Sequence, residues 1–335
     1  MKFKLTLDAT ASNLQIGYED KMLLIGSCFT ENIGAKMQKH LFSVKENPHG
    51  ILFNPVSVVN ALKVYVACKQ YDKSDLFSFN ELYNSWHHHT RFSDITAEAS
   101  LEKINLSIRE AHQYLKEANH LVITLGSAWL YSLTNNAPSQ AGLIVANNHK
   151  APSNWFEKRL MQPTELVELL QNMVKELQGF NPALQIIFTV SPVRHLREGL
   201  VENNRSKAVL IHAVHETIAN TNSTYYFPAY EYVIDDLRDY RFYAEDLVHP
   251  NYAATQYVWE KWVETYYNSV TQQIMKQVAE LQLAIQHKPF NKSSSAHQQF
   301  LQNCHLKAVT LAKEYPFLNL EATIAFFNGE LANIA

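Results

Sequence analysis

Four apolar residues in a row, Met22 to Ile25, run into Gly26-Ser27-Cys28, and behind that turn Ile33, Met37 and Leu41 recur four apart. The pattern predicts a buried strand, a sharp turn and a helix, with Thr30 as its cap and Glu31 in its first turn, where negative charge suits the dipole. Buried strands are also predicted at His120 to Leu125 and Leu184 to Val190, and a short one at Tyr225 to Phe227. Helical stripes run from Val56 to Cys68, through Leu101, Ile104, Ile108, Ala111 and Leu115, and behind a Thr164 cap through Leu166, Leu170, Met173 and Leu177. Two more follow, at Ile211, Val214, His215 and Ile218, and from Pro250-Asn251 through Tyr252, Val258 and Trp262. Phe3 to Leu7 alternates briefly, residues 70–96 read as loop, and Asn135 to Pro163 reads as a long irregular insert. Strands alternating with helices predict a three-layer α/β/α domain with a mostly parallel sheet over residues 1–266. Residues 267–335 keep helical periodicity without a strand, broken at Lys292-Ser-Ser-Ser-Ala296, and are expected to form a helical C-terminal extension.

Composition narrows the partners. A net charge of −3 gives no basic field, so neither nucleic acid nor an anionic membrane is expected. No apolar run approaches the length a membrane span needs, so no membrane insertion is expected. The first residues, Met-Lys-Phe-Lys-Leu-Thr-Leu-Asp, lack the apolar centre of a signal peptide, and Cys28, Cys68 and Cys304 are too scattered for a disulfide framework. A cytoplasmic protein is the expectation.

The Gly26–Cys28 turn presents a hydroxyl and a thiol where a strand ends and a helix begins, the place where open α/β sheets put ligands. A thiol there is expected to lean toward thiolate. The second chemical stretch is Asp246-Leu-Val-His249-Pro250. Three-residue spacing brings the carboxylate to one imidazole nitrogen and leaves the other to face a nucleophile. A local Asp/His pair with a distant nucleophile on a strand-to-helix turn suits acyl transfer. On these residues alone, Ser27 and Cys28 both qualify as nucleophile.

Asp-x-x-His-Pro near the end of an α/β domain resembles the last block of the SGNH (GDSL-type) hydrolases. Ile25-Gly-Ser-Cys-Phe-Thr-Glu31 stands where their first block, Gly-Asp-Ser-Leu-Thr, follows an apolar strand. More closely, Gly26-Ser-Cys-Phe resembles the GSCFA family, a distant SGNH relative named for Gly-Ser-Cys-Phe-Ala, with Thr30 here in place of the alanine. Ser191-Pro-Val-Arg-His195, Glu202-Asn-Asn-Arg205 and Asp236-Leu-Arg-Asp-Tyr-Arg241 are similar to that family too, and the likeness covers roughly residues 20–265. It implies an SGNH-hydrolase-like, flavodoxin-like fold. Matched position by position, it puts Cys28 at the SGNH serine, ahead of Ser27, with His249 as base and Asp246 orienting it. It implies cleavage or transfer of an acyl group on a small-molecule or carbohydrate substrate, with no cofactor.

Oxyanion donors are the less regular part of the likeness. Gly50, in Asn47-Pro-His-Gly50, matches a second-block glycine. The third block, usually Gly-x-Asn-Asp, is Gly126-Ser-Ala-Trp129 here, so Ala128 replaces the asparagine donor. Ser127, Asn54 or Asn147 could supply it, and Gly126 could be a strand-end turn. His149, in the insert, is a candidate pocket residue. Arg194 is expected to bind substrate or to pair with Glu198 or Glu202. His87-His-His89 reads as an exposed or pocket-lining loop rather than a metal site, since no carboxylate or thiol completes a ligand set. Arg91 reads as a surface ion-pair partner, and Asp235, Asp236 and Asp239 as part of a solvated charged face.

Overall fold

Met22 to Ile25 become the centre of β1 (Lys21–Gly26), and all four side chains are fully buried. The computed structural model describes residues 5–333. After β1 come α1 (Cys28–Lys39), β2 (Ser43–Glu46), α2 (Pro55–Ala67), β3 (Phe77–Phe79), β4 (Leu82–Asn84) and α3 (Ala97–Glu117). β5 (His120–Leu125), β6 (Trp129–Leu133), β7 (Phe156–Leu160), α4 (Pro163–Phe180), β8 (Gln185–Val190), α5 (Leu200–Ala219) and β9 (Thr224–Tyr226) follow. A short α6 (Ala229–Glu231), α7 (Tyr252–Tyr266), α8 (Ser269–Gln286), α9 (Ser295–Glu314) and α10 (Glu321–Ala332) complete the described elements.

The main sheet has the order β2-β1-β5-β8-β9, and β1, β5, β8 and β9 pair in parallel. The order reverses at β1: β2 lies on one side of it, and β5, β8 and β9 lie on the other. The crevice between the carboxyl ends of β1 and β5 is therefore the switch point of a doubly wound sheet. Leu23, Ile25, Leu121, Ile123, Ile186 and Phe188 face a core built with α2, α3, α4 and α5. Their neighbours Met22, Leu24, Val122 and Ile187, pointing to the other face, are buried as well. A strand covered on both faces has to be apolar throughout, and that continuous run made these strands readable. The layered α/β reading therefore holds.

Contact clustering divides the chain into two units: 5–8, Lys21–Gly34 and Val44–Glu260 in the first; Ala9–Asp20, Ala35–Ser43 and 261–333 in the second. Within the second, Tyr18 stacks on Phe42 at 4.2 Å and Phe42 on Tyr267 at 4.8 Å, and α8, α9 and α10 bury Val278, Leu281, Leu301, Ala308, Leu311 and Phe327. No described helix is long and apolar enough to cross a membrane.

Several local expectations are corrected. Ser27, not Thr30, caps α1: the helix starts at Cys28, and Ser27 Oγ accepts the Phe29 N–H at 3.3 Å. α1 ends before Leu41, whose φ of 65° is a left-handed stop. Pro163 opens α4 at its first turn, so Thr164 lies inside it. Residues 70–96 hold the β3–β4 hairpin, and the insert is flanked by the antiparallel β6–β7 ribbon. Phe3 and Lys4 lie outside the described residues, and Leu5 to Leu7 form no strand.

Gly26 has φ +137°, and a Cβ there would stand 2.1 Å from the Thr124 carbonyl oxygen. Gly26→Ala is expected to cost on the order of 3 kcal/mol or to abolish folding. Gly179→Ala in the last turn of α4, where an added Cβ meets nothing, is expected to be neutral or to gain about 0.5 kcal/mol. Urea midpoints of the two variants check this pair.

Candidate active site

The β1–α1 turn is clamped from three sides. Ser27 N–H donates to Thr124 O at 3.2 Å, Gly26 N–H to Asn47 Oδ1 at 2.9 Å, and Leu52 N–H to Gly26 O at 2.9 Å. Asn47 is fully buried and also donates through Nδ2 to Glu31 at 3.3 Å. Arg91 lies 3.6 Å from Glu31 and donates to Asn47 O, so it is an ion-pair residue that also braces the turn. Ser27 is sealed in, whereas Cys28 is half-buried at the first position of α1.

The expectation of a thiolate-leaning Cys28 is overturned. Burial pushes the thiol up from its ordinary range, and Glu31 adds to this. The N–H groups of Cys28 and Phe29 at the helix start and the Lys207 ammonium pull the other way without prevailing. Desolvation of the charged form exceeds the helix-end effect here. Cys28 thus rests as a thiol.

His249 and Asp246 form the pair that their spacing predicts. Asp246 Oδ2 meets His249 Nδ1 at 2.7 Å, and Oδ1 accepts the N–H groups of Val248 at 2.9 Å and His249 at 3.0 Å. These bonds hold the Asp246 carboxyl down to about 2, the His249 amide contributing most. The pair is about half exposed. Arg194 fastens the same loop: its N–H donates to Val248 O at 3.2 Å, its Nη1 to Leu247 O at 3.1 Å, and its guanidinium stacks on Tyr243 at 4.0 Å. Arg194 therefore serves neither Glu198, which pairs with Lys158, nor Glu202, which pairs with Arg205.

The predicted oxyanion and pocket residues divide sharply. Gly50 N–H is committed to Asn47 O at 2.7 Å, and the N–H groups of Gly126 and Ser127 both go to Phe53 O, at 3.0 and 2.9 Å. Asn54 caps α2 through Ser57 N–H at 2.8 Å and donates to Val145 O at 3.2 Å. Ala128 is fully buried core. Asn147 accepts the His149 N–H at 2.8 Å and lines a cavity of about 480 Å³ with Ser127, Asn54, His149, Trp129, Tyr131 and His195. Neither Cys28 nor His249 lines that cavity; Ser127 and His195 mark its border with the strand ends. His149 is a wall residue, its Nε2 on Ser85 O at 2.8 Å. His88, expected in an exposed or pocket-lining loop, is buried among aromatic rings: it stacks on His49 at 4.1 Å and meets Tyr71 and Phe92 edge-on. Asp236, read as part of a solvated face, is buried against Tyr257. Among the described residues, no three His, Cys, Asp or Glu side chains are grouped to hold a metal ion.

Two residues escaped the sequence reading. His195 sits against Gly126, with its buried Nε2 unpartnered, and burial plus the charges of Lys207 and His249 lower it to about 3. Lys207 is fully buried, with Nζ donating to Gly126 O and Ser191 O, both at 2.6 Å, and burial brings it down to about 7. Asn203, Ser206, Lys207, Leu210, Val214 and Thr217 form one buried stripe on α5, at helical spacing. That periodicity, begun by polar residues, was the available signal.

The sequence model of the GSCFA family matches residues 21–262, and that of the GSCFA domain protein, C-terminal domain, matches residues 278–333. No curated protein sequence matches the chain. Among solved structures, the chain is similar to an acetyl xylan esterase from the rumen bacterium Butyrivibrio proteoclasticus. Identity is 10% and the TM-score 0.36, covering 76% of this chain and 64% of that one. The chain thus spans less than two thirds of that enzyme's length.

His49 and His195 stay neutral in the fold down to about 3, while in the unfolded chain they take up protons near 6.5. The unfolded state then binds more protons below about 6.5, so stability falls as pH drops. The expected slope is on the order of 1 kcal/mol per pH unit for each group. Urea midpoints from pH 7 to 5 should fall steeply in the wild type and less so in His49→Gln and His195→Gln.

Proposed function

The chain belongs to the GSCFA family, and we propose that it is an acyl-transfer enzyme working through a thioester on Cys28, with His249 as general base and Asp246 orienting it. The observation that carries the reading is the Asp246–His249 pair at 2.7 Å, with Cys28 half-buried at the first position of α1. In support, Cys28 opens α1 directly after β1, and the loop that carries His249 is tied to Arg194, past the end of β8.

In this scheme His249 Nε2 takes the Cys28 proton as sulfur attacks the acyl carbon. The C–S bond forms, the bond to the leaving oxygen breaks, and the imidazolium returns the proton to that oxygen. Water, or an acceptor hydroxyl, then attacks the thioester with His249 again as base, releasing the acyl product and restoring the thiol. Asp246, ionised throughout, stabilises the imidazolium. The Cys28 N–H is the donor left for the oxyanion, since Gly50, Gly126 and Ser127 have committed theirs. Hydrolysis of an ester or thioester is the first assignment. Transfer to a carbohydrate hydroxyl is the second, with the cavity beside Ser127 and His195 as acceptor site. The committed amides and the raised thiol favour one further reading, a protein that binds an acylated ligand without turning it over.

An ester or thioester probe with mass mapping tests the proposal. Cys28 is expected to carry the acyl group, Ser27→Ala to retain it, and Cys28→Ala to lose both label and turnover. His249→Ala should slow acylation on the order of 10²- to 10⁴-fold. Label that persists in Cys28→Ala would remove the mechanism, and ligand binding with no turnover by the wild type would favour the binding protein.

A further inference from the structure

We propose that the cavity of about 480 Å³ beside β6 binds an anionic saccharide, with Trp129 against the sugar ring and Arg197 on its carboxylate or phosphate group. The inference rests on the carbohydrate-acceptor reading of that cavity and narrows it to a charged acceptor. The volume falls within the roughly 300–1,000 Å³ of ligand pockets. The wall mixes the rings of Phe53, Trp129 and Tyr131 with the amides of Asn147 and Asn148. A purely apolar ligand would strip water from those amides and give nothing back, whereas a sugar offers C–H faces to a ring and hydroxyls to an amide. Asn147 Oδ1 is taken by the His149 N–H at 2.8 Å, which leaves its two amide N–H groups as donors.

The charge on this wall is opposite in sign to that of the whole chain. The chain carries −3, whereas Lys150 and Arg197 line the cavity against Glu198 alone. Glu198 is already engaged, with Lys158 on one oxygen and the Tyr131 hydroxyl on the other. Burial keeps His149 and His195 neutral near pH 7, so neither alters the balance. Arg197 is exposed, and its guanidinium rests over the Tyr131 ring at 4.9 Å. Stacking fixes the plane of the guanidinium and leaves its N–H edge available, and that fork matches a carboxylate or a phosphate. The 145–151 segment of the wall is held as well. His149 and Lys150 have φ of 48° and 57°, two successive non-glycine residues in the left-handed region. Bonds from the Ala146 N–H to Trp86 O and from the Ala151 N–H to Asn148 O, both at 2.8 Å, brace the segment on either side of them. Backbone held in this region clusters at ligand clamps, and a wall fixed beforehand lowers the cost of binding.

Isothermal titration calorimetry of the full chain with glucose, glucuronic acid, glucose 6-phosphate and inorganic phosphate is the test. One of the two charged sugars is expected to bind about tenfold tighter than glucose, or more, and which one does so tells carboxylate from phosphate. Arg197→Ala, a change at an exposed residue, should remove that preference and leave glucose unaffected. Arg205→Ala, whose arginine pairs with Glu202 and does not line the cavity, should alter neither. Trp129→Ala should weaken every sugar. Equal affinity for glucose and both charged sugars, or an unchanged preference in Arg197→Ala, overturns the proposal. So does inorganic phosphate that binds as tightly as the preferred sugar, since the site then reads an anion and no ring. Saccharide binding that persists in Cys28→Ala, with no turnover by the wild type, keeps the site and rejects the enzyme. Turnover of an acyl probe without binding of any of these sugars rejects the site and keeps the enzyme.

Discussion

Two backbones touch where β1 and β5 end, and the candidate site depends on that contact. Gly26 meets the Thr124 carbonyl at a distance that no side chain tolerates, and the next residue hydrogen-bonds the same oxygen. Because β1 stops there, α1 begins immediately, with Ser27 turned inward as cap and Cys28 turned partly outward. Asn47, just past β2, braces the same turn, its Oδ1 accepting the Gly26 N–H. One missing methyl group thus sets the position of the nucleophile candidate, the start of its helix and the route of the following loop.

The same closeness explains the electrostatics. A turn packed this tightly excludes water, so the thiol is raised although a helix N-terminus faces it. His49 and His195 respond likewise and stay neutral. Lys207 is held by carbonyls just past the ends of parallel strands, and its burial brings it down to about 7. The Asp246–His249 pair is arranged differently. It is half exposed, screened by solvent, and ordered by bonds within its own four residues plus the Arg194 clamp. Core packing fixes Cys28, whereas local turn chemistry fixes His249.

This division is also why the two halves of the site differed in legibility. Asp246 and His249 could be paired from spacing because the turn is local. Cys28 could be placed because an uninterrupted apolar strand running into Gly-Ser-Cys leaves few conformations. The donors could not be assigned, because each candidate amide is satisfied by a partner distant in sequence: Gly126 and Ser127 by Phe53, Asn54 by Val145. Hydrogen-bond partners across the chain leave no trace in the pattern of one segment.

By itself, the sequence determined the four strands that pair in parallel and the main helices between them, because burial on both faces demands continuous apolar runs; β2 and the two antiparallel ribbons left no such run. It also determined that a thiol and an Asp/His pair stand past strand or loop ends. The tertiary structure alone decided the charge states. Whether a thiol, an imidazole or an ammonium holds its proton depends on water excluded by elements far apart in the chain, and desolvation is a property of the assembled site. Lys207 shows this most plainly: in the sequence it sits in a polar run, Glu202 to Lys207, and only the packing of α5 buries that run's inner edge, Asn203, Ser206 and Lys207.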